Sequence, residues 1–193
     1  MALGGVLIRM ALVLSCLCSL QTFAKEIEKI DFPEQLDLGA KKMVLNGAGL
    51  RLKRKFGMDF RVYVAGLYLT GKNSDAKAVI ASDDPKIIRM VFLRSLDKDT
   101  LQEGMDEGFK KNCKKDCDAM KSQLKAFDDL LTSVKEKHEL KMQFDKDSVS
   151  VELKGKESHS GKVEGANFSK TLLAVFIGDD PPTEDFKKGL LGK

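Results

Sequence analysis

The sequence predicts an α+β protein in which helices form a layer on a sheet. Three observations lead there. Strand-type alternation fills Met43 to Thr70 and returns in Lys86 to Arg94; after Ser95 the apolar spacing lengthens from two to three or four; and from Leu140 the two-residue alternation comes back. The 193 residues fit one domain and supply enough chain for a sizeable core. An apolar share of 42% and a charged share of 32% belong to a globular chain, not to a disordered or membrane-spanning one.

The first 24 residues read as a different kind of segment. Arg9 precedes the apolar run Met10 to Leu20, and Thr22, Phe23 and Ala24 form a small-x-small ending before the charged KEIEK segment. This is the pattern of a secretory signal peptide cleaved after Ala24, with 25–193 as the mature domain. The run is too short to span a bilayer, which needs about 20 residues, so no integral membrane segment is expected in the mature chain. Cys16 as a lipid-modified cysteine has only Leu14 and Ser15 before it, an indifferent context. Export places the protein in the periplasm or outside the cell. The net charge of +4 divides 33 basic against 29 acidic residues, and no basic stripe is interleaved with stacking aromatics, which speaks against nucleic acid as a partner.

Lys25 to Lys42 is polar, contains Pro33, and offers a short edge strand around Glu26 to Ile30. Met43 to Thr70, MVLNGAGLRLKRKFGMDFRVYVAGLYLT, holds two strand runs around Lys55, Phe56, Gly57 and Met58, which is a hairpin signal. Centring it on Gly57 pairs Arg51 with Tyr63, at equal steps back and forward. Cross-strand partners have Cβ atoms about 5 Å apart, so a guanidinium and a phenol there can grip one acidic group. The other basic residues of RLKRK are expected to be solvated. On the second strand Phe60, Val62, Val64, Gly66 and Tyr68 are assigned to one face, and Arg61, Tyr63, Ala65, Leu67 and Leu69 to the other. Both sets are largely apolar, as in a strand covered on both sides.

A short helix is read around Asp75 to Ala81, and Lys86 to Arg94 is a third buried strand. Asp97 and Asp99 are capping candidates for a helix reaching about Asn112, with Leu101, Met105 and Phe109 on its buried face. Gly104 and Gly108 on that helix mark close approach to a neighbour or to a ligand. A second helix is read from about Asp118 to Glu136, with the seam Met120, Leu124, Phe127, Leu131 and Val134. Between the two helices stand Cys113 and Cys117, which in an exported chain suggest a disulfide. An i, i+4 pair is reached poorly within a continuous helix, so the bridge implies a break at Lys114 and Lys115. A zinc site needs about four ligands, and His138 and His159 stand at no recognisable spacing, so no metal is expected. The spacing is not that of a CxxC dithiol either, and a structural staple is the favoured reading.

Leu140, Met142 and Phe144, then Val149, Val151 and Leu153, alternate about a turn at Asp145 to Asp147 and form a hairpin with one wet face. A last short strand covers Lys162 to Glu164. Asn167 is read as the cap of a helix carrying Phe168, Leu172, Val175 and Phe176 and ended by Gly178. A closing helix buries Phe186, Leu190 and Leu191.

The pieces GAGLR, FRVYVAGLYL, MDEGFKKN, NFSKTLLAVFIG and KKGLLG, in this order over roughly Val44 to Gly192, resemble the chalcone isomerase-like family. That resemblance implies an α+β open-faced β-sandwich: a large, mostly antiparallel sheet, a layer of helices on one face, and a pocket between them. The family includes plant enzymes that close a chalcone into a flavanone, relatives that bind fatty acids without catalysis, and exported bacterial members. Arg51 matches the arginine with which the enzymes stabilise a substrate oxyanion. At the enzymes' other polar positions this chain has Tyr63 for a threonine, Leu101 and Gly108 for a tyrosine and an asparagine, and Val175 for a serine or threonine. Pairing the arginine with a tyrosine on the next strand is similar to the fatty-acid-binding members.

The function expected from these readings is that of an exported binding protein for a small acidic amphiphile such as a fatty acid, held by Arg51 and Tyr63, with no cofactor and no chalcone cyclisation. Two alternatives stand beside it. One is an isomerase or intramolecular lyase acting on a chalcone-like enone, with Arg51 stabilising an oxyanion and Tyr63 as acid. The other is an envelope scaffold whose pocket is vestigial.

Overall fold

A computed structural model describes residues 23–155 and 158–193. The expected leader lies outside the described residues except for Phe23 and Ala24, which open the first strand. The fold is α+β, with a seven-stranded antiparallel sheet carrying helices on one face. Its strands lie in chain order: β3 (Gln35–Leu38), β4 (Lys41–Lys55), β5 (Met58–Leu69), β6 (Lys86–Phe92), β7 (Glu139–Phe144), β8 (Ser148–Lys154) and β9 (His159–Glu164). The polar amino-terminal stretch is more than one edge strand. β1 (Phe23–Ile27) and β2 (Ile30–Pro33) form a separate two-stranded hairpin on the opposite face of the sheet. There Phe32 lies against Gly66, where an added Cβ would come within 2.6 Å of the ring. Arg89 holds the same hairpin through the Asp31 carbonyl at 2.9 Å while pairing with Glu139 at 2.8 Å. The central strands β4, β5 and β6 are therefore covered on both faces.

The helical layer comprises α1 (Ala76–Ala81), α2 (Lys98–Cys113), α3 (Lys121–Leu130), α4 (Ala166–Ile177) and α5 (Glu184–Leu190). Asp75 caps α1 and Asp97 caps α2, each carboxylate accepting from backbone N–H groups of the first turn. α2 stops at Cys113, and Lys114, with φ of 53°, turns the chain into a short 3₁₀ segment spanned by the Cys113–Cys117 disulfide. The break falls where the cysteine spacing requires it.

Three expectations about elements need correction. The second long helix ends at Leu130, not Glu136: Leu131 and Val134 are buried as expected, but on an extended segment in which Val134 bridges Leu96. β9 begins at His159 and pairs with β8 from Ser148 to Leu153, so the last strand is longer than Lys162 to Glu164. Asn167 lies inside α4, whose cap position is Gly165 at φ 140°, a conformation closed to most side chains.

The long β4–β5 hairpin departs from regular pairing in two places. Its turn is Phe56-Gly57, both at positive φ, with Lys55 opposite Met58, so the centre lies half a residue before Gly57. Leu52 pairs with Arg61, yet Arg51 pairs with Tyr63, leaving Val62 as the extra residue of a β-bulge on β5. The two offsets cancel, and Arg51 does face Tyr63. Nearer the other end Asn46 is a second unpaired residue, on β4. Its amide donates to the Leu190 carbonyl at 2.9 Å and its side-chain oxygen accepts from the Asn73 N–H at 2.7 Å, tying the bulge to the end of α5.

Candidate functional site

The bulge at Val62 builds one wall of a cavity between sheet and helices. An extra residue flips the facing of everything beyond it. Tyr63, Ala65, Leu67 and Leu69 stay on the helix side as expected, whereas Phe60 and Val62, assigned to the opposite face, line the cavity beside Tyr63. The cavity encloses about 330 Å³. Its remaining walls are α2 (Leu101, Gly104, Met105, Gly108), Val175 of α4, Leu96, and the Asp180-Pro181-Pro182 connection between α4 and α5.

Arg51 stands where β4 meets that connection. Its Nη1 donates to the Leu52 carbonyl and to the Pro182 carbonyl, the latter at 3.1 Å. Two carbonyls fix the guanidinium while its other N–H groups stay available for an acceptor in the cavity. The rest of the connection is fastened to the end of α2: Asn112 donates to the Asp180 carbonyl at 3.0 Å, and Lys114, just past the disulfide half Cys113, pairs with Asp179 at 3.0 Å. The disulfide spans the turn from which Lys114 reaches Asp179, the residue just before the cavity-lining Asp180. Cys113 and Cys117 themselves do not line the cavity.

Tyr63 is held edge-on between Phe92, at 6.1 Å between ring centroids, and Phe186, at 5.7 Å. Among the described residues its hydroxyl has no protein hydrogen-bond partner. Burial pushes its pKa up to about 12, with the Arg51 charge pulling the other way. The phenol therefore keeps its proton through the neutral range and acts there as a donor. Arg51 and Tyr63 together present a fixed cation and a fixed O–H on one face of neighbouring strands, a pairing suited to a carboxylate. The three positions where the enzymes of the resembled family carry polar groups, Leu101, Gly108 and Val175, all line the same cavity and make that part of its wall apolar.

Lys53 and Lys55 are exposed, as expected of RLKRK, but they also line the cavity, together with Arg94, Lys111, Glu107 and Asp180. Lys111 pairs with Glu107 at 2.7 Å and Arg94 lies over the Phe60 ring at 5.2 Å. The rim carries more positive than negative groups, which raises the local concentration of anions. Neither His138 nor His159 lines the cavity. Among the described residues, no cluster of three or more His, Cys, Asp or Glu side chains is placed to hold a metal ion, and no helix is long and apolar enough to cross a membrane.

The glycines of GAGLR are in direct contact with the closing KKGLLG, a contact that no local signal in either segment announces. A Cβ on Gly47 would collide with the Gly189 carbonyl and come within 2.6 Å of the Gly192 nitrogen; one on Gly49 would lie 2.7 Å from the Phe186 carbonyl. The glycines let the α5 backbone rest directly on β4, and that seat places the Phe186 ring against Tyr63.

A protein-family model described as chalcone isomerase-like matches residues 24–192. No curated protein matches the chain. Among solved structures the fold is similar to that of a fatty-acid binding protein from Arabidopsis thaliana, with a TM-score of 0.66 at 20% identity, over 84% of this chain and 92% of that one.

Proposed function

The chain belongs to the chalcone isomerase-like family, and from that premise we propose that it is a binding protein for a small acidic amphiphile, a fatty acid or similar carboxylate, which it holds without cyclising a chalcone. The observation that carries this reading is the Arg51–Tyr63 cross-strand pair at a cavity whose helix side is lined by Leu101, Met105, Gly108 and Val175 and whose other charged lining residues are mostly basic. A carboxylate would accept from the guanidinium and the phenol, and the alkyl part would lie against Leu101, Met105, Gly108 and Val175. A cavity of about 330 Å³ is at the small end of the usual range for small-molecule sites, which suits a single chain. A phenol at about 12 is a weak general acid at neutral pH, which favours holding over turnover. The fatty-acid binding protein that shares the fold supports the ligand class. The leader read in residues 1–24 extends the proposal to the periplasm or the exterior; an amino terminus at Lys25 in the secreted or periplasmic fraction is the expected result.

The test is direct binding of a fatty-acid series to delipidated protein by calorimetry, beside mass spectrometry of lipid carried through purification. Loss of a charge-assisted pair of bonds predicts affinity lower by about tenfold to a hundredfold in Arg51→Ala. Tyr63→Phe should lose about fivefold to tenfold, because one hydrogen bond goes while the ring stays. No co-purified lipid together with unchanged affinity in Arg51→Ala would refute the proposal.

A further inference from the structure

The tip of the β4–β5 hairpin carries two side chains that the fold does not use. Phe56 is 86% exposed and Met58 is 58% exposed; they are the exposed large hydrophobic residues of the described chain, one in the turn and the other just after it. Phe56 is also in an unfavourable conformation. It sits at φ 53° in a two-residue turn, a position where Asn, Asp or Gly is at ease and a bulky residue is strained. Folding alone would put asparagine there. A phenylalanine that is strained and almost wholly in water needs a reason outside the folded chain.

The surroundings indicate what meets it. Lys53 and Lys55 have no carboxylate partner among the described residues, and Lys55 lies 5.3 Å over the Phe56 ring. Arg54 is paired with the tip's acid, Asp59, at 3.2 Å, and Arg61 with Glu28 at 3.1 Å. Two apolar tips on a convex turn, ringed by lysines whose stems can snorkel, are too small for the core of a stable protein interface, which needs about 800 Å² per partner. The same set matches an anionic bilayer: apolar and aromatic tips enter the headgroup boundary while the cations meet lipid phosphates.

We propose that the β4–β5 hairpin tip docks the protein on anionic membrane surfaces. Lys53, Lys55 and Phe60 belong both to the arms of this hairpin and to the cavity lining, so docking would set the cavity mouth at the lipid headgroups. The docking does not depend on the cavity's ligand being a fatty acid, and it is tested with no such ligand present.

The experiment is flotation of the protein with phosphatidylcholine vesicles and with mixed phosphatidylcholine–phosphatidylglycerol vesicles, at low and high salt. Wild type should float with the mixed vesicles, less so at high salt. Lys53→Gln with Lys55→Gln should lower the partition coefficient by about fivefold per charge. Phe56→Asn should lower it about tenfold, while raising the melting temperature by about 2–4 °C as turn strain is relieved. That opposite movement of binding and stability separates a docking residue from a structural one. Three outcomes would overturn the proposal: no flotation of wild type with either vesicle, flotation unchanged in Phe56→Asn, or concentration-dependent self-association abolished by Phe56→Asn, which would assign the tip to a second copy of the chain.

Discussion

Gly104 and Gly108 stand one helical turn apart on α2, and both line the cavity, yet replacing them with alanine should move stability in opposite directions. Glycine in a helix interior costs about 0.5–1 kcal/mol relative to alanine. At Gly104 a Cβ would meet nothing within 4 Å, so Gly104→Ala keeps that gain and should raise the melting temperature by about 2–4 °C. At Gly108 a Cβ would fall 2.6 Å from Cγ1 of Val175. Val175 is 3% exposed and β-branched on a helix, so it has no easy rotamer to escape into, and α2 must move off α4. Overpacking of that kind costs about 1–3 kcal/mol, more than the propensity gain. Gly108→Ala should therefore lose about 1 kcal/mol net and melt about 2–4 °C lower, and Val175→Ala in the same chain should return part of the loss. Thermal melts followed by circular dichroism at one pH and concentration, without ligand, read all three. Equal shifts of the same sign at both glycines would refute the described approach of α2 to α4. The same empty space gives a functional control: Gly104→Leu should project into the cavity and weaken fatty-acid binding without lowering the melting temperature.

Gly47→Ala should be destabilised by about 2–3 kcal/mol, since α5 must lift off β4 and the buried Asn46–Leu190 hydrogen bond is strained; a melting temperature within a degree of wild type would contradict the seat described for α5. Reduction of Cys113–Cys117, or Cys117→Ser, should cost about 2 kcal/mol for a loop this short and also weaken ligand binding through the Lys114–Asp179 tie, measured by melts and calorimetry with and without reductant. Burial, then the neighbouring Asp106 carboxylate, raises the Asp128 pKa from 3.8 to about 7, so folding takes up a proton and this group's stability contribution is lost as pH rises from about 4 through about 7. Asp128→Asn should accordingly leave the melting temperature unchanged near pH 4 and raise it above pH 7 by the equivalent of about 1 kcal/mol, the full shift being discounted because the half-buried side chain is partly screened by water; an equal gain at both pH values would show that the carboxyl does not titrate there.

The sheet and most helices were legible because their signals are local. Leu101, Met105 and Phe109 mark the buried face of α2, Asp97 caps it as one of the two expected candidates, and the strand alternations of β7 and β8 pair as written. The misplaced parts depend on distant partners. Leu131 and Val134 continue a helical spacing, but the chain there bridges Leu96, and spacing alone cannot separate a helix from an extended segment that buries the same residues. The β1–β2 turn at Glu28-Lys29 has positive φ at both positions without Asn or Gly to announce it. Nothing local marks Val62 as a bulge either: it looks like any strand valine.

That bulge explains why the site was half legible. Arg51 and Tyr63 were paired by symmetry about Gly57, yet the turn is centred earlier; without the bulge Arg51 would face Val62. One unpaired residue shifts Tyr63 into register with Arg51 and turns Phe60 and Val62 from the far face into the cavity. A regular hairpin would have put an alkyl group opposite the guanidinium and left the cavity without this wall. The polar pair and its apolar enclosure are thus two consequences of the same inserted residue. Deleting Val62 should thin the enclosure while keeping the pair: Arg51 would still meet Tyr63 and Phe60 would stay opposite Lys53 on the cavity side, so only the Val62 side chain leaves the wall. Affinity for a short carboxylate, measured by calorimetry, should then fall much less than affinity for a long-chain fatty acid. An equal loss for both would mean that the Val62 side of the wall does not hold the alkyl chain.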